Sequence, residues 1–516
     1  MTPALRPERG ARVTLAVLVL VYVLNFLDRQ IPSILAERIK ADLGATDAQM
    51  GFLYGTAFAV FYAIFGTPLG RLADTWQRTR LMSIGLAVWS AMTAVSGFAS
   101  TFTQLALARV GVGIGEASAS PAGYSLLSDL FPARRRATVL ALYQSGIHIG
   151  SGLGLCVGGL IVARWDAMWG GSPPFGMRGW QVAFLVVGLP GLLLALAVRR
   201  LPEPIRGAAD GIVAPVEPHP FRAFGRELRA VLPPLGLLHL WLARAGGAVI
   251  AANLAAAAVV SGAAWLLTQS LGNPIQWICL GVGCYAAMSW TQALRLRDPV
   301  TAALLLRTPS LRASALAFAC LAAAGYGLNF WTAPFFIRIH HVGEAEAGLV
   351  LGTVHALSGW IGVTLGGVLA DRWRERLPAG RLCVPVLTAT LAIPLALGML
   401  TTSDTRTAYL FYVPLSVSTG LWAGGAVSTI QDLVLPRMRG TASAAYLLLV
   451  TLVGLALGPF AIGRLSVGLG DLRAAMCCGL VAYAGALVFL VIALRGFARD
   501  EATMRDRARA AGEVGV

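Results

Sequence analysis

Apolar runs near 20 residues long recur along the whole chain, separated by charged or Gly/Pro-rich breaks. A helix of about 20 residues rises about 30 Å, the thickness of a bilayer's hydrocarbon core. The pattern therefore predicts membrane-spanning helices, and marking the runs gives fourteen. The first six cover 12–34, 48–70, 80–99, 104–130, 137–163 and 180–198. Two follow at about 245–268 and 274–294, and the last six cover 313–337, 345–370, 382–401, 407–434, 441–463 and 472–495. The expected organisation is an N-terminal six-helix half (1–198), a Pro- and Arg-rich cytoplasmic linker (199–233) and two inserted transmembrane helices (234–296). An interfacial segment (297–312), a C-terminal six-helix half (313–495) and a cytoplasmic tail (496–516) complete it. Residues 221–244 carry a further amphipathic pattern suited to the membrane surface.

Composition agrees with a bilayer as solvent. Of the 516 residues 57% are hydrophobic and only 13% charged, about half the charged share of a soluble domain. The net charge of +16 would suit nucleic acid, but its placement argues otherwise. Arginines cluster in alternate connections: Arg6, Arg9 and Arg12; Arg71, Arg78 and Arg80; Arg134, Arg135 and Arg136; Arg199, Arg200 and Arg206; Arg372, Arg374 and Arg376; Arg437 and Arg439; Arg505, Arg507 and Arg509. The intervening connections are nearly neutral. That alternation is the positive-inside bias. It excludes nucleic acid as the partner and predicts a multi-pass protein, of the inner membrane in a bacterium, with both termini cytoplasmic. An even number of inserted helices is required, because Arg-rich connections lie on the same side before and after them. The seven cysteines lie in or beside apolar segments, with no spacing that suggests a disulfide framework or zinc. The run from Val13 lacks a cleavage site of small residues and reads as a retained first helix.

The two halves repeat. Ala48-Gln-Met-Gly51-Phe-Leu-Tyr-Gly55-Thr56, ending Gly70-Arg-Leu72-Ala73-Asp74, matches Ala345-Glu-Ala-Gly348-Leu-Val-Leu-Gly352-Thr353, ending Gly367-Val-Leu369-Ala370-Asp371, at an offset of 297. Residues 131–154 match 435–458 in the same order. Parallel repeats of this kind place a substrate site between the halves near mid-membrane, where rocking gives alternating access.

Gly70-Arg-Leu-Ala-Asp74-Thr-Trp-Gln-Arg78-Thr-Arg80 resembles the loop signature of the major facilitator superfamily, and Gly367 to Arg376 is a second copy. Thr75, Gln77 and Arg374 depart from it. Arg109 to Ala117 resembles the superfamily's fourth-helix motif, and Gly150-x-x-x-Gly154-Leu-x-x-Gly158-Gly159 its fifth-helix motif, with Leu155 where Pro is usual. Within the superfamily the chain is similar to the spinster-like group through Asn25-Phe-Leu-Asp28-Arg29, Gly115-Glu116-Ala117, Gly179-Trp180, Leu306-Arg307-Thr-Pro309 and Gly325-Tyr326-Gly-Leu-Asn-Phe-Trp331. The resemblance implies an all-α membrane fold of two six-helix halves and a proton-linked carrier of amphiphiles such as lysophospholipids or sphingoid compounds. The two extra spans depart from its twelve-helix pattern. It also implies that Asp74 and Asp371, with Arg78 and Arg372, form conformational latches.

Charges inside apolar spans are costly and mark function. Asp28 and Arg29 lie in the first span; Arg109 and Glu116, seven apart in the fourth, share one helix face. Asp28 and Glu116 are expected to carry the coupled proton, with Arg29 or Arg109 pairing with them or holding an anionic headgroup; a static interhelical salt bridge is the alternative. Gly146, Gly150, Gly154 and Gly158 at four-residue spacing make a smooth face for close helix approach. His148 and His355, deep in their spans, are expected at the cavity lining or in a proton relay, and Tyr143, Gln144, Tyr326, Asn329, Trp331 and Trp422 are further candidate cavity liners. Asp432 reads as a cytoplasmic end residue. Gly111-x-Gly113-x-Gly115 has the look of a dinucleotide loop, but no strand precedes it. No Walker lysine, His-Glu-x-x-His, or nucleophile–base set appears. The expected protein is a monomeric secondary transporter, driven by a proton gradient without cofactor or metal, for a small-molecule or lipid substrate. An exporter of drugs or metabolites is the alternative; an intramembrane lipid-modifying enzyme or a channel fits less well.

Overall fold

Each expected apolar run folds as helix in the computed structural model, which describes residues 7–170, 172–207 and 217–513 and contains no strand among them. Arg6 and the linker residues 208–216 lie outside the described residues, as do the side chains of Arg9 and Arg134. The first half comprises α1 (Pro7–Leu43), α2 (Asp47–Tyr54) continued by α3 (Thr56–Thr75), α4 (Arg78–Ser96), α5 (Phe102–Glu116) continued by α6 (Ala119–Leu130), α7 (Ala133–Trp169) and α8 (Gly179–Arg199). Then come α9 (Pro220–Val231), α10 (Leu235–Leu242), the inserted hairpin α11 (Gly247–Leu271) and α12 (Pro274–Arg297), and α13 (Pro299–Arg307). The second half holds α14 (Pro309–Ile339), α15 (Glu344–Arg376), α16 (Cys383–Thr401) and α17 (Thr405–Leu421) continued by α18 (Ala423–Gln431). It closes with α19 (Arg439–Leu449), a π-turn (Val450–Leu455) and α20 (Ala456–Leu469), then α21 (Leu472–Gly479), α22 (Val481–Ala502) and α23 (Met504–Ala510).

Among the described residues eleven helical segments are long and apolar enough to cross a membrane, and each coincides with an expected span. The other three expected spans, α4, α5–α6 and α12, are also helical but too polar to meet that standard. Helices outrun the apolar runs that predicted them: α1 continues through Glu37, Arg38 and Lys40 to Leu43, because charged residues at a helix end cost little once they leave the hydrocarbon. Gly44 then adopts a left-handed φ of 62°, open to glycine without strain. The capping box of Thr46 and Gln49 starts α2.

The chain packs as two contact units that cut across the sequence halves. The first comprises Met1–Ala45, Phe61–Leu228 and Val342–Ala356, the second Thr46–Val60, Arg229–His341 and Leu357–Val516. In the first, α1 lies along α7, and α4 packs between α5 and α8. In the second, α14 packs on α22, α16 on α17, and α2 on α20.

Glycines explain the close approaches. A Cβ at Gly146, Gly150, Gly154 or Gly158 would meet Tyr22, Val23, Leu27 and Ile34 of α1 respectively, so the smooth face is the seat of α1. A second small-residue face of α7, not anticipated from sequence, meets the start of α15: Gly152 lies against Gly352, and Gly159 against Gly348 and the Glu344 carbonyl. The repeat reproduces this contact in the second unit, where Gly51 lies against Pro459 and Gly463 against the Asp47 carbonyl. The two repeated blocks are thus each other's packing partners.

The inserted hairpin is held by buried polar groups. Tyr285 donates to Asn253 Oδ1 at 2.7 Å, and the Asn253 amide donates to Gln292 at 2.5 Å and Ser289 at 3.3 Å. An amide in hydrocarbon needs such partners, and these fix the register of α11 on α12.

Candidate functional site: a buried charge cluster in the first unit

The four intramembrane charges come together. Asp28, Arg29, Arg109 and Glu116 are each at most 8% exposed. Arg29 donates to Glu116 Oε2 at 2.7 Å, and its guanidinium lies over Phe26 (4.6 Å) and Tyr62 (5.2 Å). Two aromatic faces and one carboxylate thus replace water around a charge that would otherwise be prohibitive at this depth. Asp28 accepts from Thr93 at 3.1 Å. Its other oxygen, Oδ1, and Oε1 of Glu116 have no hydrogen-bond partner among the described residues.

Arg109 donates to the backbone carbonyl of Asp28 at 3.3 Å. The reason lies in the chain four residues on, where Pro32 sits inside α1. Proline has no amide hydrogen, so the carbonyl four residues before it loses its helical donor. Arg109 supplies one in its place.

Glu116 is the last residue of α5, and the helix breaks at Ala117–Ser118 before α6 begins. Gly115 and Gly85 let α5 and α4 touch backbone to backbone there: a Cβ on Gly115 would lie 2.8 Å from the Gly85 carbonyl and the Trp89 amide. The Gly111-x-Gly113-x-Gly115 run is therefore helix packing, which disposes of the nucleotide-loop resemblance. Among the described residues no group of three His, Cys, Asp or Glu side chains is placed to hold a metal, and the seven cysteines are unpaired.

The expected cavity liners divide. His148 and His355 are half-buried, with ring centroids 6.1 Å apart. Gln144 is exposed, and Tyr326, Asn329 and Trp422 are half-buried, Trp422 stacked on Phe318 at 5.8 Å. Two others are taken up in packing. Trp331 is fully buried and spends its indole N–H on the Pro459 carbonyl at 2.8 Å, which makes it a packing residue. Tyr143 is fully buried too, stacked on Tyr22 at 4.2 Å and edge-on to Tyr124 at 5.6 Å. It belongs to the aromatic core behind Arg29.

At the loop signatures, Arg78 is completely buried. It binds Asp129, Glu203 Oε1 (2.8 Å), Ser125 Oγ (2.9 Å) and the Pro204 carbonyl (2.6 Å). Burial works against the Glu203 carboxylate, but the Thr79 amide and hydroxyl and the Arg78 guanidinium outweigh it and hold its pKa below the usual value. Asp74 is exposed, with Arg206, Arg71 and Arg78 as its charged neighbours. In the second copy Asp371 pairs with Arg381 (3.1 Å), and Arg381 also binds Asp432 (2.5 Å). Arg372 is exposed and makes no ion pair among the described residues. Arg78–Asp129 and Arg381–Asp432 share an offset of 303, so Arg381 rather than Arg372 stands where Arg78 does. The longer connection before α16 shifts the register by six residues and hid this from the sequence.

Comparison with known proteins agrees with these features. The sequence model of the Major Facilitator Superfamily matches residues 18–459. An MFS-type efflux pump of Mycolicibacterium smegmatis is 29% identical over 488 residues, covering 94% of this chain and 90% of the relative. Protein spinster homolog 1 of Homo sapiens is 27% identical, covering 90% and 74%. The inward-facing, unoccupied crystal structure of a bacterial homolog of the human lysosomal transporter Spinster superposes with a TM-score of 0.68. It is 25% identical, and the match covers 98% of this chain and 99% of that one.

Proposed function

The chain belongs to the Major Facilitator Superfamily as a spinster-like multi-pass membrane transporter, and from that premise we propose that it is a proton-coupled carrier of an amphiphilic organic substrate working by alternating access. The observation that carries the coupling is the pair of buried carboxylates, Asp28 and Glu116, each with one oxygen free to take a proton. Arg29 balances Glu116, and Arg109 stands beside both acids as a fixed counter-charge. Loading either acid with a proton releases charge from the cluster, and that release is the coupling step. A proton gradient is the energy source; no cofactor enters.

The substrate class, lysophospholipid or sphingoid, rests on the spinster-like membership. Half-buried His148 and His355 in the first unit, and Tyr326, Asn329 and Trp422 in the second, are of the aromatic and hydrogen-bonding types that such a molecule needs. The likeness to an efflux pump favours a second reading, export of drug-like amphiphiles by the same coupling. The latch role passes to Asp74, Arg78 and Asp129 in the first copy and to Asp371, Arg381 and Asp432 in the second. The Arg-rich connections support cytoplasmic termini and a bacterial inner-membrane location, with the monomer as the working unit.

The test is purified protein in liposomes loaded with a pH indicator. A lysophospholipid gradient is expected to drive proton movement, and a drug-like cation to do so under the second reading. Substrate flux with no proton movement would remove the coupling.

A further inference from the structure

Two ion pairs outside the charge cluster repeat each other across the sequence halves. In the second unit, Arg338 in the last turn of α14 holds Asp47 at the start of α2 with two bonds, 2.7 and 2.8 Å long. Ser466 of α20 donates to the same carboxylate at 2.6 Å. In the first unit, Arg38 near the end of α1 donates to Glu344 at the start of α15 at 2.7 Å, with Asp166 of α7 3.5 Å from the same guanidinium.

Asp47 and Glu344 are equivalent residues, separated by the offset of 297 that relates the repeats. Their surroundings are equivalent as well. The Asp47 carbonyl lies on Gly463 and the Glu344 carbonyl on Gly159, glycines separated by the offset of 304 that relates 435–458 to 131–154. Each arginine lies near the end of the first helix of its own half, and each acid begins the second helix of the opposite half. The pairs are therefore crossed: first-half arginine to second-half acid, and second-half arginine to first-half acid. Both acids sit in the first turn of a helix, where the helix dipole already favours negative charge. Arg338 comes from the last turn of α14, where it favours positive charge, and Arg38 lies just before the last turn of α1. Asp47 is nearly buried, its side chain 7% exposed, while Arg38 is 45% exposed, so the Asp47–Arg338 pair is the tighter of the two.

We propose that these crossed pairs are a double clamp on the ends of the helices opposite the termini, both of which must break before the two sequence halves part on that side. The proposal rests on the alternating-access reading above. It adds that the clamp is built twice from the repeat, so that breaking one pair loosens the other through the movement of the halves.

Cys156 reports the opening. Its Sγ lies 3.3 Å from the Gly348 carbonyl, between α7 and α15 in the first unit. In full-length protein with the other six cysteines replaced, Cys156 is labelled by a membrane-impermeant maleimide from the side opposite the termini. Glu344→Gln is expected to speed labelling about twofold, in keeping with a half-exposed pair, and Asp47→Asn about fivefold. The Asp47→Asn result decides, because Asp47 and Cys156 belong to different contact units. Arg338→Gln should match it. Folded, monodisperse Asp47→Asn or Arg338→Gln protein labelled at the parent rate would overturn the proposal. The readout needs neither substrate nor proton gradient, so it fails or succeeds apart from the coupling and substrate assignments.

Discussion

Gly150→Ala tests whether α1, and with it Asp28 and Arg29, is positioned by glycine packing. The new Cβ would collide with the Val23 carbonyl oxygen and lie 3.0 Å from the Val23 carbonyl carbon and 3.1 Å from Phe26 Cβ. Most of these are backbone atoms, which cannot rotate away, so α1 must shift. Overpacking of this kind costs about 1–3 kcal/mol. Alanine in place of a helical glycine returns about 0.5–1 kcal/mol through lower chain entropy. Gly325→Ala isolates that second effect, because nothing lies within 4 Å of a Cβ there. The two variants therefore differ by the collision alone. An unfolding entropy of about 2 cal/mol/K per residue makes 1 kcal/mol worth roughly 1 °C in a chain of this length. Gly150→Ala should thus melt about 1–3 °C below Gly325→Ala when tryptophan fluorescence is followed in one detergent. It should also transport more slowly. If Gly150→Ala melts at or above Gly325→Ala, the seat of α1 on α7 is not as tight as described.

Pro32→Ala restores the helical donor to the Asp28 carbonyl and frees Arg109, so melting temperature should rise while proton-linked transport falls; a rise in both would dissociate Arg109's anchoring from function. Trp331→Phe removes the bond to Pro459 and should cost about 1 kcal/mol of stability with substrate KM unchanged; raised KM at unchanged melting temperature would return Trp331 to the substrate path. Glu203 has a lowered pKa when folded, so its contribution is present at neutral pH and lost as pH falls below its unfolded value. The stability difference between wild type and Glu203→Gln should therefore be largest at pH 7 and shrink by about pH 4; a difference that grows on acidification would contradict the Arg78–Glu203 assignment.

The membrane helices, the repeat and the four charges were legible in the sequence because hydrophobic runs, glycine spacing and intramembrane charge each have one dominant physical meaning. Pairings were not. Four charges on two spans allow several arrangements, and what sends Arg109 to a carbonyl is a proline's missing hydrogen, visible only once Arg109 is placed against the Asp28 carbonyl. Thr93 and Tyr62, which complete the site, belong to residue types that membrane helices carry for many reasons. Trp331 and Tyr143 read as cavity liners because an aromatic residue with a polar tip suits a wet wall as well as a buried one; only the burial of Tyr143 and the Trp331–Pro459 bond separate the two. The crossed ion pairs escaped notice because Arg38, Asp47, Arg338 and Glu344 lie at span ends, where charge is ordinary.

The central claim is that Asp28 and Glu116 carry the coupled proton. It is tested most directly by comparing proton-driven accumulation with counterflow exchange of a lysophospholipid in liposomes containing wild type, Asp28→Asn or Glu116→Gln. Both variants are expected to keep counterflow, which needs no net proton movement, and to lose accumulation against a gradient. Full proton-driven accumulation in both variants would contradict the account.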